Sequence, residues 1–535
     1  MKHCTAKSYR KGLPGGIGKA ARSASEGEIS VLPRWRFGLP WSGSTSGLVV
    51  LLVVLSAASA RAETAVPPGA YNVRAFGATA DGRTKCTDAL ARTIGLAAAH
   101  GGGTIYFPAG VYLTGPIHLQ SHITLYLDAG AVVKFSTDFD DYLPMVASRW
   151  EGTEVINFSP LIYARDAEDI ALRGRGTLDG QGQAWWDNLG KVKRGDEASR
   201  SPWQKEFLRR NAKVVASTHS PALDAGFLRP PFIQPYHCTN VLIEGVTVIN
   251  SPFWTITPVY CENVTVHAVT IHNPRSPNTD GINPDSCRNV HITDCHISVG
   301  DDCITIKSGK DADGRRVGRP AENYTISNCT MADGHGGVVI GSETSGGVRN
   351  ITISNCVFDG TSRGIRIKSA RGRGGVIEDV RVSNIVMRHI QNEAVVITTF
   401  YEKSEPEPFS ERTPVFRNIR LSGITGDAQV AGELTGLAEK PLEGISLTDV
   451  QLDAMTGFTI TDAREVGFHQ VVLNTDKGPA LVADRTEGLE LDGLRTSRPH
   501  DKTPVVELLN VKNVFVHGCT AAPHTDVFLR VRERA

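Results

Sequence analysis

Three aspartates carry the clearest chemical signal in this chain. Asn278-Thr279-Asp280-Gly281 is followed by Gly300-Asp301-Asp302, and then, in order, by Gly334-His335-Gly336 and Arg366-Ile367-Lys368. Cutting a glycosidic bond needs one carboxyl to protonate the leaving oxygen and another to act on the far side of the sugar. Three carboxylates held within a few Å cannot all ionise freely, so at least one should keep its proton to higher pH. Arg366 and Lys368 fall on one strand face by period 2 and form a cationic pair suited to a sugar carboxylate, with arginine offering a bidentate fork. His335 can hydrogen-bond an acid and set its pKa. Singly these motifs are weak, since Asp-Gly is usually a turn, Asp-Asp a solvated loop and Arg-x-Lys a charged strand face. Their order, glycine flanks and similar phases make the combination specific.

The elements that must position them repeat. A polar residue followed by alternating apolar residues recurs at Asn240, Asn263, Asn289, Asn323, Asn350 and Asp379, in steps of 23, 26, 34, 27 and 29, then at Asn418, with weaker copies at Gly444-Ile445 and Asn513-Val514. Period-2 alternation inside a repeat of this length means short parallel strands stacked coil on coil. Asp280 and Asp301 are nearly one coil apart and so become neighbours. Asp301 and Asp302 would point to opposite faces of a regular strand, and a bend at Gly300 is needed to bring both to one groove. Asparagines at one turn can form a hydrogen-bonded ladder. The sequons Asn263-Val264-Thr265 and Asn350-Ile351-Thr352 read as ladder positions before glycosylation sites.

Ahead of the repeats, residues 87–99 read as a helix with Thr87 as N-cap, Leu90, Ile94 and Ala98 on one face, and Gly101-Gly102-Gly103 as its stop, followed by a strand at Thr104–Phe107. Such a helix caps the first coil of a solenoid, which otherwise exposes an unpaired apolar end. Residues 185–232 break the rhythm as an insertion able to fold over the groove or one end of it, and residues 402–414 form a loop. The catalytic coils span about 235–410 and structural coils 411–535, within one domain from 63 to 535.

Residues 1–62 read as a leader with a signal peptide. The apolar run Leu48–Leu55, too short to span a membrane, precedes small residues at alternate positions around Ala58, Ala60 and Ala62. The basic stretch before it is long for such a leader, which marks residues 1–30 as a start-site artefact. The expectation is export to the periplasm or medium. Lys+Arg and Asp+Glu balance at 57 each, so no global field favours nucleic acid or membrane. Cys238, Cys261 and Cys287 step by 23 and 26, and Cys303, Cys329 and Cys356 by 26 and 27, which predicts buried stacked thiols. Cys287–Cys295 is a local candidate for a bridge.

The four motifs, in this order, resemble glycoside hydrolase family 28, the polygalacturonases, over roughly residues 70–410. The resemblance implies a right-handed parallel β-helix and hydrolysis of α-1,4-galacturonosidic bonds with inversion. By motif, Asp301 is the general acid, Asp280 and Asp302 activate water, and His335 supports the acid. Arg366 and Lys368 hold the galacturonate carboxylate on the leaving side, Tyr401 follows them, and Asn278 lies near the substrate. The expected partner is an acidic polysaccharide (pectin, polygalacturonate or its oligomers), acted on by a monomer without metal or organic cofactor. A blocked groove end would give exo attack, the favoured reading. Endo attack or rhamnogalacturonan hydrolysis are alternatives, and a calcium-dependent pectate lyase or a non-catalytic carbohydrate-binding solenoid stand as other classes.

Overall fold

The computed structural model describes residues 69–195, 200–218, 220–273 and 277–533. The leader read over residues 1–62 lies outside the described residues. Residues 64–535 form one compact unit. None of its described helices is long and apolar enough to cross a membrane.

The alternation seen in the sequence becomes a right-handed parallel β-helix whose main sheet links 26 strands. Registers run coil to coil without crossover. Val241 pairs with Val264, then Val290, Tyr324, Ile351, Val380, Ile419 and Ile445. These side chains fill the bore, and each buried aliphatic contributes roughly 1.5–3 kcal/mol. A step of 34 residues marks the coil that carries a short helix at residues 311–317. It separates Asn289 from Asn323 and, on another face, Asp302 from Gly336.

The asparagine ladder is present. The side-chain amide of Asn263 donates to Asn240, Asn289 to Asn263, Asn323 to Asn289 and Asn350 to Asn323, each at 3.0 Å. All five residues sit at φ between 56° and 62°, where asparagine is tolerated far better than other non-glycine residues. Both sequon asparagines belong to it. A second, shorter ladder joins Asn328, Asn355 and Asn384.

Helix α1 (Thr87–Ala99) buries Leu90, Ile94 and Ala97 against the first coils. Ala98 is only half-buried. Thr87 is not its cap. Cys86 precedes the helix without a side-chain cap bond, and the Thr87 hydroxyl instead accepts from the Gly115 amide at 2.7 Å, tying the helix to the coil beneath. The nine described cysteines are free, so Cys287 and Cys295 do not pair. The second thiol column also differs from expectation. Cys295, not Cys303, precedes the strand position that stacks on Cys329 and Cys356, because the long coil shifts the count by 34.

The insertion begins at Gln183 and is helical: α2 (Gln183–Arg194), α3 (Pro202–Arg210), α4 (Ala212–Thr218) and α5 (Pro221–Ala225). Trp185 and Phe207 are fully buried, and Trp185 packs with Phe139, Phe158 and Phe227. The insertion packs beside the coils, Trp186 donating its indole N–H to Pro252 O at 3.2 Å. It braces a hairpin, Val146–Trp150 with Thr153–Asn157, whose backbone is held by Asn211 at both Ile156 N and Ile156 O. This is the one antiparallel strand pair among the described residues.

Replacing Asn289 with Ala removes two ladder bonds, worth about 1 kcal/mol each, and adds roughly 1–2 kcal/mol of left-handed backbone strain. Asn289→Gly removes the bonds alone. Thermal melts should therefore rank wild type above the glycine variant and the glycine above the alanine variant. An alanine variant as stable as the glycine one contradicts the strained-ladder account.

Candidate active site

Each motif lies where one coil touches the next. The Gly281 amide donates to Asp302 O at 3.0 Å, which stacks Asp280 beside the strand Asp302–Ile306 of the following coil. Asp301 precedes that strand, in the bend after Gly300, and so escapes its alternation. The Asp302 amide donates to the Asp301 carboxylate at 3.0 Å. One carboxylate oxygen from each of Asp280, Asp301 and Asp302 falls within 4.8 Å of the others.

The glycines around His335 explain its place. Gly334 has φ of 77°, and a Cβ there would sit 2.6 Å from Asp301 O. That close approach lets the His335 amide donate to Asp301 O at 2.9 Å and sets the ring Nδ1 3.0 Å from the Asp301 carboxylate. Gly336 pairs with Asp302, and a Cβ there would press on Val339 and stand 3.3 Å from the Asp302 carboxylate. One coil further, Lys368 Nζ donates to Asp302 at 3.0 Å and the Arg366 guanidinium stands 3.8 Å from its other oxygen. Tyr401 lies under both cations, its ring centroid 5.3 Å from Arg366 and 5.2 Å from Lys368. The counter-charge to the aspartates is thus supplied by side chains. Asn278 is also at the site, but its carbonyl oxygen accepts from Arg229 at 2.8 Å.

All eight residues singled out in the sequence gather here. Four others do as well: Arg229, Trp254, Lys307 and Glu343. Lys307 directly follows the strand Asp302–Ile306, with Nζ 3.9 Å from the Asp280 carboxylate and 2.8 Å from Glu343, over the Trp254 ring. Arg229 is buried and donates to Pro252 O and Pro277 O, and burial pulls its pKa down to about 10. Arg229 stood in the sequence only as part of Arg-Pro-Pro. A lysine just after a strand reads as solvated, and nothing marked Glu343.

The charge states partly reverse expectation. Burial, then the Asp301 charge, push Asp280 well above the usual carboxylate range. Burial would also raise Asp301, but the His335 hydrogen bond and charge, with Lys368 and Lys307, outweigh it and hold Asp301 low. His335 is raised in turn by its bond to Asp301. The carboxyl held towards its protonated form is therefore Asp280 rather than Asp301. Such a proton belongs to the interacting set, not to one residue.

The hairpin 146–157 lies on the coils before Asp302. Ser148 donates to Gln234, Arg149 donates to Asp285 and Ser286, and Trp150 stacks on Phe253 at 5.7 Å.

A sequence model described as glycosyl hydrolases family 28 matches residues 217–469, and one described as rhamnogalacturonase A/epimerase, pectate lyase-like, matches residues 70–169. The chain is 30% identical over 419 residues to a probable polygalacturonase of Vitis vinifera, covering 76% of this chain and 77% of that one. The chain belongs to glycosyl hydrolase family 28. An endo-polygalacturonase of Pectobacterium carotovorum subsp. carotovorum is also 30% identical, over 64% of this chain and 78% of its own. A hyperthermoactive exopolygalacturonase from Thermotoga maritima superimposes with a TM-score of 0.68 at 36% identity, over 76% of this chain and 92% of that one.

In this family 28 hydrolase the His335–Asp301 pair couples stability to pH. His335 is raised, so its contribution is full below the unfolded value near 6.5 and fades as pH climbs through its folded value. Asp301 is lowered, so its contribution is full above about 3.9 and fades as pH falls through its folded value. The stability difference between wild type and His335→Gln should peak between about pH 4 and 6.5 and shrink on both sides. It should be small, because the His335 side chain is 57% exposed. Denaturation curves at several pH values check this, and a difference independent of pH contradicts it.

Proposed function

We propose that this hydrolase cleaves the α-1,4 bonds of polygalacturonate, releasing monomer from chain ends. The observation that carries the substrate is the Arg366 and Lys368 pair over Tyr401, which reaches the three clustered carboxylates from two coils further on. A cationic pair beside the cleavage point suits a sugar bearing a carboxylate. The polygalacturonase names of its relatives agree.

In this reading the carboxyl of Asp301 gives its proton to the glycosidic oxygen as the bond from the anomeric carbon breaks. Asp280 and Asp302 hold a water on the opposite side and take a proton from it as its oxygen bonds that carbon. The cluster begins and ends with one proton. Because Asp280 is the raised carboxyl and Asp301 the lowered one, turnover needs the proton shifted to Asp301, and the two titrate as a set. The oxygens within 4.8 Å are closer than the roughly 6.5–9.5 Å between carboxyl groups of two-carboxylate inverting sites. Inversion is supported here by the third carboxylate, which leaves two to hold water after one has served as acid.

The exo mode is supported by the hairpin 146–157, which rests on the coils preceding the aspartates and would stop a polymer from running along them. The insertion contributes by bracing that hairpin. The leader supports export, and the mature chain is proposed to act as a monomer on pectic polymer outside the cytoplasm.

A chromatographic and NMR time course on polygalacturonate tests both points. Monomer should appear first, with slow viscosity loss, and its first-formed anomer should be β. Mixed oligomers with fast viscosity loss mean endo attack, a first-formed α anomer means retention, and unsaturated products mean a lyase.

Asp301→Asn should lower kcat by at least about 10³-fold while leaving the melting temperature and oligogalacturonate binding nearly unchanged. More than a few per cent residual activity removes Asp301 from the acid role.

A further inference from the structure

Behind Asp280 lies an ion pair that the mechanism above does not use. Lys307 and Glu343 are both buried, and their charged atoms are 2.8 Å apart. Buried lysine and glutamate are rare unless paired, and such a pair is a poor stabiliser because both charges lose their hydration. The placement of this pair is specific. The remaining reach of Lys307 Nζ is directed to Gly341 O at 3.5 Å, to Asp280 at 3.9 Å and to the face of Trp254 at 4.4 Å. Glu343 is itself anchored. Its backbone carbonyl accepts from the Ser308 amide, the residue after Lys307, and the Ser342 hydroxyl donates to its carboxylate. The ammonium is therefore held at the edge of Asp280, nearer to its anchor than to its target. Two residues before Lys307, Thr305 donates to the same Asp280 carboxylate oxygen at 3.4 Å.

We propose that Lys307, tethered by Glu343, is a positioning residue that decides how the single proton of the aspartate cluster divides between Asp280 and Asp301. This rests on the hydrolase reading given above. A cation at this distance favours the ionised form of Asp280. Every increment of that preference moves the proton towards Asp301, where the leaving oxygen needs it. Glu343 works in the opposite sense, drawing the ammonium away and cancelling part of its field. The groups that face Asp280 from the elements around it are Asp301, Asp302, Lys307, Lys368 and Arg229. Those that face Glu343 are Lys307, Arg373, Lys310 and Glu151. Of all these, Lys307 is the cation closest to Asp280 that is not bonded to Asp302. Both partners are held charged against burial: Lys307 is raised by Glu343, Asp280 and Asp302, and Glu343 is lowered by Lys307, Arg373 and Lys310.

Opposite charges in one pair predict opposite shifts. In Lys307→Met the bell-shaped pH dependence of kcat/KM should move to higher pH by about one unit, and its maximum should fall about tenfold or more, since the proton is left on Asp280. In Glu343→Gln the bell should move to lower pH. The double variant Lys307→Met/Glu343→Gln leaves no uncompensated buried charge, and its bell should lie between those of the two single variants. Loss of activity at every pH with the bell in place, or shifts in the same direction for both single variants, overturns the proposal and leaves the pair a structural element. If Lys307→Met fails to fold, the sign of the Glu343→Gln shift and the position of the double variant still decide it. The wild-type profile on polygalacturonate separates this from the functional reading. A wild type that hydrolyses no uronate polymer removes that reading, whereas an active wild type whose variants do not shift removes only the role of Lys307.

Discussion

The distance between stacked strands, about 4.8 Å, is the constraint on which everything else here depends. In a parallel solenoid, residues one coil apart must become neighbours of like orientation. That rule makes the bore a set of aliphatic columns, and it makes asparagines into a ladder. Applied to Asp280, Asp301 and Asp302, it forces carboxylates to within 4.8 Å. Such crowding is unfavourable unless charge is supplied from elsewhere. The same stacking supplies it, since Lys368 and Arg366 arrive from two coils further on and Lys307 from just after the strand that Asp302 begins. The cluster is a local property of the coil repeat, whose stacking brings its groups together.

The exterior uses the same rule with the opposite sign. Along one surface column the register runs Glu262, Arg288, Glu322, Arg349, Glu378, Arg417, Glu443, alternating charge at every step. Contacts such as Arg349–Glu322 at 2.6 Å are half exposed and contribute little stability. Their physical effect is on register. A slip by one coil would place like charges against each other along the column, whereas the aliphatic bore would accept such a slip almost without cost. The polar columns therefore specify what the apolar columns only stabilise, and a fixed register is what keeps Asp280 opposite Asp302.

Much of this was legible in the sequence because period and motif order are local. The strands, the asparagine ladder and the body of α1 could be placed from spacing once the repeat was recognised. The four motifs marked Asp280, Asp301, Asp302, His335, Arg366 and Lys368, while Asn278 and Tyr401 were singled out by the resemblance to family 28. What escaped is what the repeat does not encode. Cys303 was put in the wrong thiol column because a coil carrying an extra helix spans 34 residues, and a step of 26 can match two columns equally well. The hairpin 146–157 lacks the motif and reaches the sheet through Arg149 and Ser148, which look like surface residues in one dimension. Lys307 and Glu343 are 36 positions apart and are joined only after the long coil between them has closed. Which of the three carboxyls is raised also escaped, since the field at each aspartate depends on which cations the stacking delivers to it.

That dependence bears on how the site works. A general acid with a permanently raised pKa would be set by its own pocket. Here His335 holds Asp301 low, while burial and the Asp301 charge hold Asp280 high. In the proposed mechanism that order must be exchanged before Asp301 can protonate a leaving oxygen. Proton placement is then a property of the interacting set and of the cations stacked around it, not of one carboxyl.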